Sequence, residues 1–124
     1  MIYEDMLALK PYSLSQQEKD ILLKSALRES LEHHFSGSIE FQKICRKRGF
    51  VPPFDNFDYS DIPYLPVGIF KYLRLASVSQ DRIVRTLNSS ATSSQIPSTV
   101  FIDDLTRKRQ MKTLSWLISE FLGN

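Results

Sequence analysis

The chain has 124 residues, 42% hydrophobic and 24% charged, with six prolines, one cysteine and a formal charge of +2. This composition fits one domain, residues 1–124, with a core large enough to need no disulfide or metal staple. Cys45 alone excludes an internal disulfide framework, and with the adjacent pair His33 and His34 it cannot fill a structural zinc site, so no metal centre is expected.

No apolar run approaches the ~20 residues of a membrane span, and residues 1–10 lack a basic-then-apolar secretory leader, so a cytoplasmic protein without a membrane span is expected. Residues 1–62 carry 8 Lys+Arg against 10 Asp+Glu (net −2) and residues 63–124 carry 8 against 4 (net +4). That tilt suits a phosphate-bearing small molecule but is too weak for a nucleic-acid binder.

Ser15 followed by Glu18 is a capping-box spacing, in which side chain and backbone satisfy each other's orphan N–H groups, and it predicts a helix start. Leu23, Leu27, Leu31 and Phe35 recur every fourth residue beside Leu22 and Ala26. They predict an inward face, with Lys19, Lys24, Arg28, Glu29 and Glu32 toward water and Ser36-Gly37 at the end. A second helix is expected from Ser38 as N-cap to Arg48, burying Phe41, Ile44 and Cys45 and stopped by Gly49, which completes a helical hairpin.

Residues 50–66 hold Pro52, Pro53, Pro63 and Pro66 among Phe50, Phe54, Phe57, Tyr59 and Tyr64. Proline fixes φ and removes donors, so an extended crossing segment anchored by aromatic rings is predicted. Pro66 opens a short helical turn through Val67, Ile69, Phe70 and Tyr72. The β-branched runs 82–87 and 99–102 predict two strands joined by a polar loop. Asp103 or Asp104 then caps a last helix. Its expected buried stripe is Met111, Leu114, Leu117, Ile118, Phe121 and Leu122, and its wet face Arg107, Lys108, Arg109 and Lys112. The fold class expected is α+β: a helical hairpin, a crossing segment, an antiparallel strand-loop-strand unit and a C-terminal amphipathic helix.

Eight of the fourteen residues 86–99 are Ser or Thr and none is charged. Short hydroxyl side chains beside exposed N–H groups can wrap phosphate oxygens, although a plain Ser/Thr connection has the same composition. The run 85–98, RTLNSSATSSQIPS, resembles the phosphate-loop pattern T-S-S-G-T-T-G-x-x-P-S of AMP-forming acyl-activating enzymes. With residues 61–71 (DIPYLPVGIFK), Phe101-Ile102-Asp103 and residues 11–16 (PYSLSQ), it resembles the N-terminal portion of LuxE-like acyl-protein synthetases, relatives of phenylacetate-CoA ligase.

The resemblance implies an N-terminal portion of a larger adenylate-forming enzyme. Such an enzyme uses ATP and Mg2+ to adenylate a carboxylic (fatty) acid and passes the acyl group to a thiol acceptor on a protein or CoA. By position, Ser89, Ser90, Thr92, Ser93 and Ser94 match the loop that holds the ATP phosphates, while Ala91 and Ser94 stand where the family pattern has glycine. The adenine pocket, the acid that orients magnesium and the acyl tunnel lie later in such enzymes, so this chain alone is expected to be inactive and its catalytic residues stay unassigned. Loss of both glycines also fits a second reading, a non-catalytic interaction module descended from such a ligase.

The remaining candidates have plainer readings. His33 and His34 point about 100° apart on a helix, which favours one packed edge and one solvated ring over an acid/base pair. Cys45 on the inward stripe reads as a small apolar residue before an acyl acceptor. Arg46-Lys47-Arg48 complements a helix C-terminus, and Trp116 reads as the margin of the core. A piece cut from a larger sheet would leave edges and apolar surface open, so a homo-oligomer is expected.

Overall fold

In chain order the computed structural model contains α1 (Ile2–Leu7), α2 (Gln16–Gly37), α3 (Ile39–Lys47), a 3-10 turn (Tyr59–Asp61), α4 (Ile69–Tyr72) and a second 3-10 turn (Gln80–Arg82). These are followed by β1 (Ile83–Asn88), β2 (Thr99–Asp103) and α5 (Asp104–Leu122). It describes residues 2–92 and 95–123. The architecture is the expected α+β arrangement, with one two-stranded antiparallel sheet among the described residues.

The local signals act where the sequence places them. Ser15 Oγ accepts from Glu18 N (3.3 Å) while Ser15 N donates to Glu18 Oε2 (2.8 Å), completing the capping box of α2. At the far end Ser38 caps α3 through Phe41 N (3.3 Å). Gly49, at φ 69°, closes α3 with Gly49 N donating to Arg46 O and Phe50 N to Cys45 O, a left-handed cap that glycine adopts without Cβ strain.

Packing starts from the aromatic crossing segment. Phe54 (1% exposed) of that segment and Cys45 (0%) of α3 are the most enclosed side chains among the described residues, joined by Ala26, Leu31 and Ile102. The Phe54 ring stacks on Phe50 at 5.0 Å and meets Phe35 edge-on at 5.8 Å, so the crossing segment and α2 share one aromatic cluster. Arg28 secures it by donating from Nε to Phe54 O and from Nη2 to Asp55 O, both at 3.1 Å.

Two expectations about faces are corrected. Leu23 is 44% exposed, because it borders an open apolar depression between α1, α2 and Trp116 that the short α1 does not close over. The larger correction is α5. Its supposed buried stripe is exposed: Met111 56%, Leu114 52%, Leu117 42%, Ile118 48%, Phe121 71% and Leu122 81%. Arg109, assigned above to the wet face, points inward instead. Its Nε and Nη2 grip Glu4 Oε1 (2.8 Å) and Oε2 (3.2 Å), and its guanidinium lies 4.5 Å over the Tyr3 ring. That bidentate pair fixes the rotation of α5, so Arg109, Thr113 and Trp116 are half-buried and the apolar stripe faces roughly 150° away at 100° per residue.

The anchor for Arg109 is α1, a helix without a sequence signal of its own. It is held on α2 by tertiary bonds: Tyr3 Oη donates to Ala26 O (3.2 Å) and meets Ser30 Oγ, and Ile2 N donates to Glu29 Oε2 (3.3 Å).

Candidate phosphate loop and the neighbouring cleft

β1 and β2 pair with Thr86 opposite Phe101, Leu87 opposite Val100 and Asn88 opposite Thr99. That register brings the ends of the Ser/Thr loop together. Thr99 Oγ1 donates to Asn88 Oδ1 (3.0 Å), Ser89 N donates to Ser98 O (2.9 Å) and Ser98 N donates to Ser89 Oγ (2.8 Å). Beyond that clasp Gln95 N donates to Thr92 O (2.9 Å).

The expected phosphate residues therefore divide. Ser89 is exposed, but its N–H and hydroxyl oxygen serve the clasp and shape the loop. Ser90 and Thr92 are exposed, and the backbone N–H groups of Ser90, Ala91 and Thr92 find no acceptor among the described residues. Ser93 and Ser94 lie outside the described residues. Ala91, in place of the family glycine, has no positive φ: Tyr12 (φ 56°) is the one non-glycine in that region among the described residues. Alanine at 91 thus carries no left-handed strain.

Other candidates resolve by burial. Cys45 is sealed in the core and burial raises its thiol pKa, so it packs as an apolar residue and does not present a thiolate. Arg46 and Arg48 lie over aromatic rings, 5.9 Å from Phe35 and 5.0 Å from Tyr64, at the exposed C-terminus of α3. His34 is bound through Nδ1 to Ser77 Oγ (2.6 Å) and meets Phe41 edge-on at 6.2 Å. Desolvation, and next the His33 charge, lower its pKa and favour the neutral ring.

Sequence reasoning missed a cleft of about 840 Å³ between α2 and α5, lined by His33, Arg82, Asp103, Leu105, Leu114 and Leu117 among others. These residues are far apart in the chain, and no local spacing announces their meeting. Asp103 spans both features, ending β2 and capping α5 through Thr106 N (2.8 Å). Burial is the largest influence on its carboxyl and acts to raise the pKa. Donation from Thr106 and the charges of Arg82 and His33 outweigh it, and the net shift is downward. Among the described residues no group of three His, Cys, Asp or Glu side chains is arranged to hold a metal ion, and no helix is long and apolar enough to cross a membrane.

Comparison with known proteins gives this geometry a context. A family model described as acyl-protein synthetase, LuxE, matches residues 1–124. The chain is similar to a long-chain-fatty-acid–luciferin-component ligase of Vibrio harveyi, 26% identical over 106 residues, which cover 86% of this chain and 27% of that relative. It is also similar to one of Photorhabdus luminescens, 26% identical over 90 residues, covering 70% of this chain and 76% of that relative. The chain thus spans about a quarter of the Vibrio protein's length. No solved structure matches it.

Proposed function

The chain belongs to the LuxE acyl-protein synthetase family, and from that premise we propose that it is the N-terminal segment of an ATP-dependent, AMP-forming ligase for a carboxylic acid of the fatty-acid class. In that reaction the carboxylate displaces pyrophosphate from ATP to give an acyl-adenylate, and a thiol of a protein or CoA then displaces AMP.

The observation that carries the reading is the exposed stretch Ser90, Ala91 and Thr92. Its backbone N–H groups are unengaged among the described residues and its two hydroxyl groups are exposed, at the end of a hairpin clasped by Ser89 and Ser98. Donors grouped in this way suit the charge that builds on a departing pyrophosphate. The residues fit the phosphate part of Mg·ATP. Magnesium keeps several waters and binds through phosphates with one or two carboxylates, so it asks for no dedicated protein cage in this loop. Adenine recognition, the acyl site and the thiol acceptor fall to polypeptide beyond these elements.

The test is titration of the 15N-labelled chain with Mg·ATP. Saturable amide shifts are expected at Ser90, Ala91 and Thr92, and weaker binding in the double variant Ser90→Ala/Thr92→Ala, whose backbone donors remain but whose hydroxyl groups are gone. Absence of any saturable shift overturns the phosphate assignment. It would favour the second reading, a non-catalytic interaction module, for which the replacement of both family glycines by Ala91 and Ser94 speaks.

A further inference from the structure

The stripe on α5 is too large to be ordinary surface. Met111, Leu114, Leu117, Ile118, Phe121 and Leu122 are 42–81% exposed and adjacent. Together they show on the order of 700 Å² of apolar area, above the ~300–600 Å² that the largest patch of a typical monomer reaches. Its spacing is specific. Met111, Leu114, Ile118 and Phe121 recur at intervals of three, four and three, the a/d pattern by which one helix packs its seam against another. Leu117 and Leu122 flank that seam, and Leu114 and Leu117 continue it into the cleft beside α2.

We propose that this stripe is the contact surface of a two-fold homodimer, in which α5 packs antiparallel on α5 of a second copy. An antiparallel a/d seam pairs each a position with a d position of the partner. Met111 then lies opposite the second copy's Phe121, and Leu114 opposite its Ile118. The long Met and Phe side chains share the outer layers, and the two middle layers hold branched aliphatics.

Three observations select a second copy as occupant. The seam is self-complementary, because its 3-4-3 spacing reads the same in both directions. The area available, at most on the order of 700 Å² from each copy, is comparable with the ~800 Å² per partner of a stable interface. No charged residue occupies the seam positions Met111, Leu114, Ile118 and Phe121, while Arg107 and Lys108, N-terminal to the seam, share Asp104 at 2.7 and 2.6 Å and stay exposed to water. Two antiparallel copies can therefore close without burying an unpaired charge. The rotation that exposes the stripe is held by Arg109 on Glu4 and Tyr3, so docking needs no rearrangement of the monomer.

The experiment is sedimentation equilibrium of the 124-residue chain across concentrations to about 200 µM, a range that resolves micromolar dimers. A dimer is expected. Because a symmetric interface contains every substitution twice, Ile118→Asp is expected to raise its Kd by more than about 100-fold, and Phe121→Ser by at least about tenfold. Tyr64→Asp, a 74% exposed side chain away from α5, should leave the Kd unchanged. Circular dichroism of each variant confirms retained helix. In a mixture of Leu114→Cys and Ile118→Cys copies, cross-linking faster than for either variant alone reports the antiparallel register directly. Cys45 is fully buried and does not compete. A chain that stays monomeric at about 200 µM, or a dimer that survives both stripe substitutions, overturns the proposal and leaves the stripe for a different polypeptide.

Discussion

Phe54→Ala should be far more damaging than Leu23→Ala, although Leu23 sits on the strongest helical repeat in the sequence. Phe54 is 1% exposed, stacks on Phe50 at 5.0 Å and meets Phe35 at 5.8 Å. Its removal takes a ring from the centre of the aromatic cluster and leaves a cavity that α2 and the crossing segment, tied by Arg28, cannot collapse around. Buried Phe→Ala changes cost about 3–5 kcal/mol, and two ring partners put this site near the middle, at about 4 kcal/mol. For a domain whose total stability is about 5–15 kcal/mol, that is a large share. At roughly 3–5 °C per kcal/mol for a chain of this size, Tm should fall by roughly 12–20 °C. Leu23, 44% exposed beside an open depression, leaves no sealed cavity, and Leu23→Ala should cost about 1 kcal/mol. Urea and thermal unfolding followed by circular dichroism measure both. Equal losses, or a greater one for Leu23→Ala, would show that the core is centred on the helix repeat and refute the placement of the crossing segment.

The junction between α2 and the segment before β1 offers two further tests. A Cβ on Gly37 would lie 2.1 Å from Ser77 O and 2.9 Å from its carbonyl carbon, backbone atoms that cannot swing aside. Gly37→Ala should therefore destabilise by about 1–3 kcal/mol despite alanine's better helix propensity, and by shifting Ser77 away from the imidazole of His34 should relieve part of its desolvation and return it toward its ordinary pKa. Chemical unfolding and NMR titration of the ring read the two effects. In the wild type the His34 pKa is lowered on folding by desolvation and by His33, so below the unfolded value of about 6.5 the unfolded state binds the proton first. The stability His34 contributes is complete above that pH and is lost as pH falls toward the folded pKa. His34→Gln should flatten the decline in unfolding free energy between about pH 7 and 5, and an unchanged slope would refute the assignment.

Much of the local structure was legible in the sequence, because its causes are local. The capping box at Ser15 and Glu18, the Ser38 cap, the Gly49 stop and the Asp103 cap each satisfy backbone groups within a few residues, and all four stand where they were expected. Proline and aromatic density similarly identified residues 50–66 as a crossing segment containing the side chain that seals the core. The Ser/Thr run marked the loop, and the clasp between Ser89 and Ser98 follows from the strand register.

Which face of each helix turns inward was a separate matter. Periodicity says that α5 has an apolar side, but the same pattern serves a core or an interface. Arg109, drawn to Glu4 and Tyr3 on a helix 105 residues away in the chain, turned that side outward. The α2–α5 cleft and the His34–Ser77 junction likewise depend on contacts between distant segments. Backbone capping is satisfied within one turn of chain and can be read residue by residue. The rotation of a helix is chosen by the strongest partner that the rest of the fold brings near, and only the assembled chain contains that information.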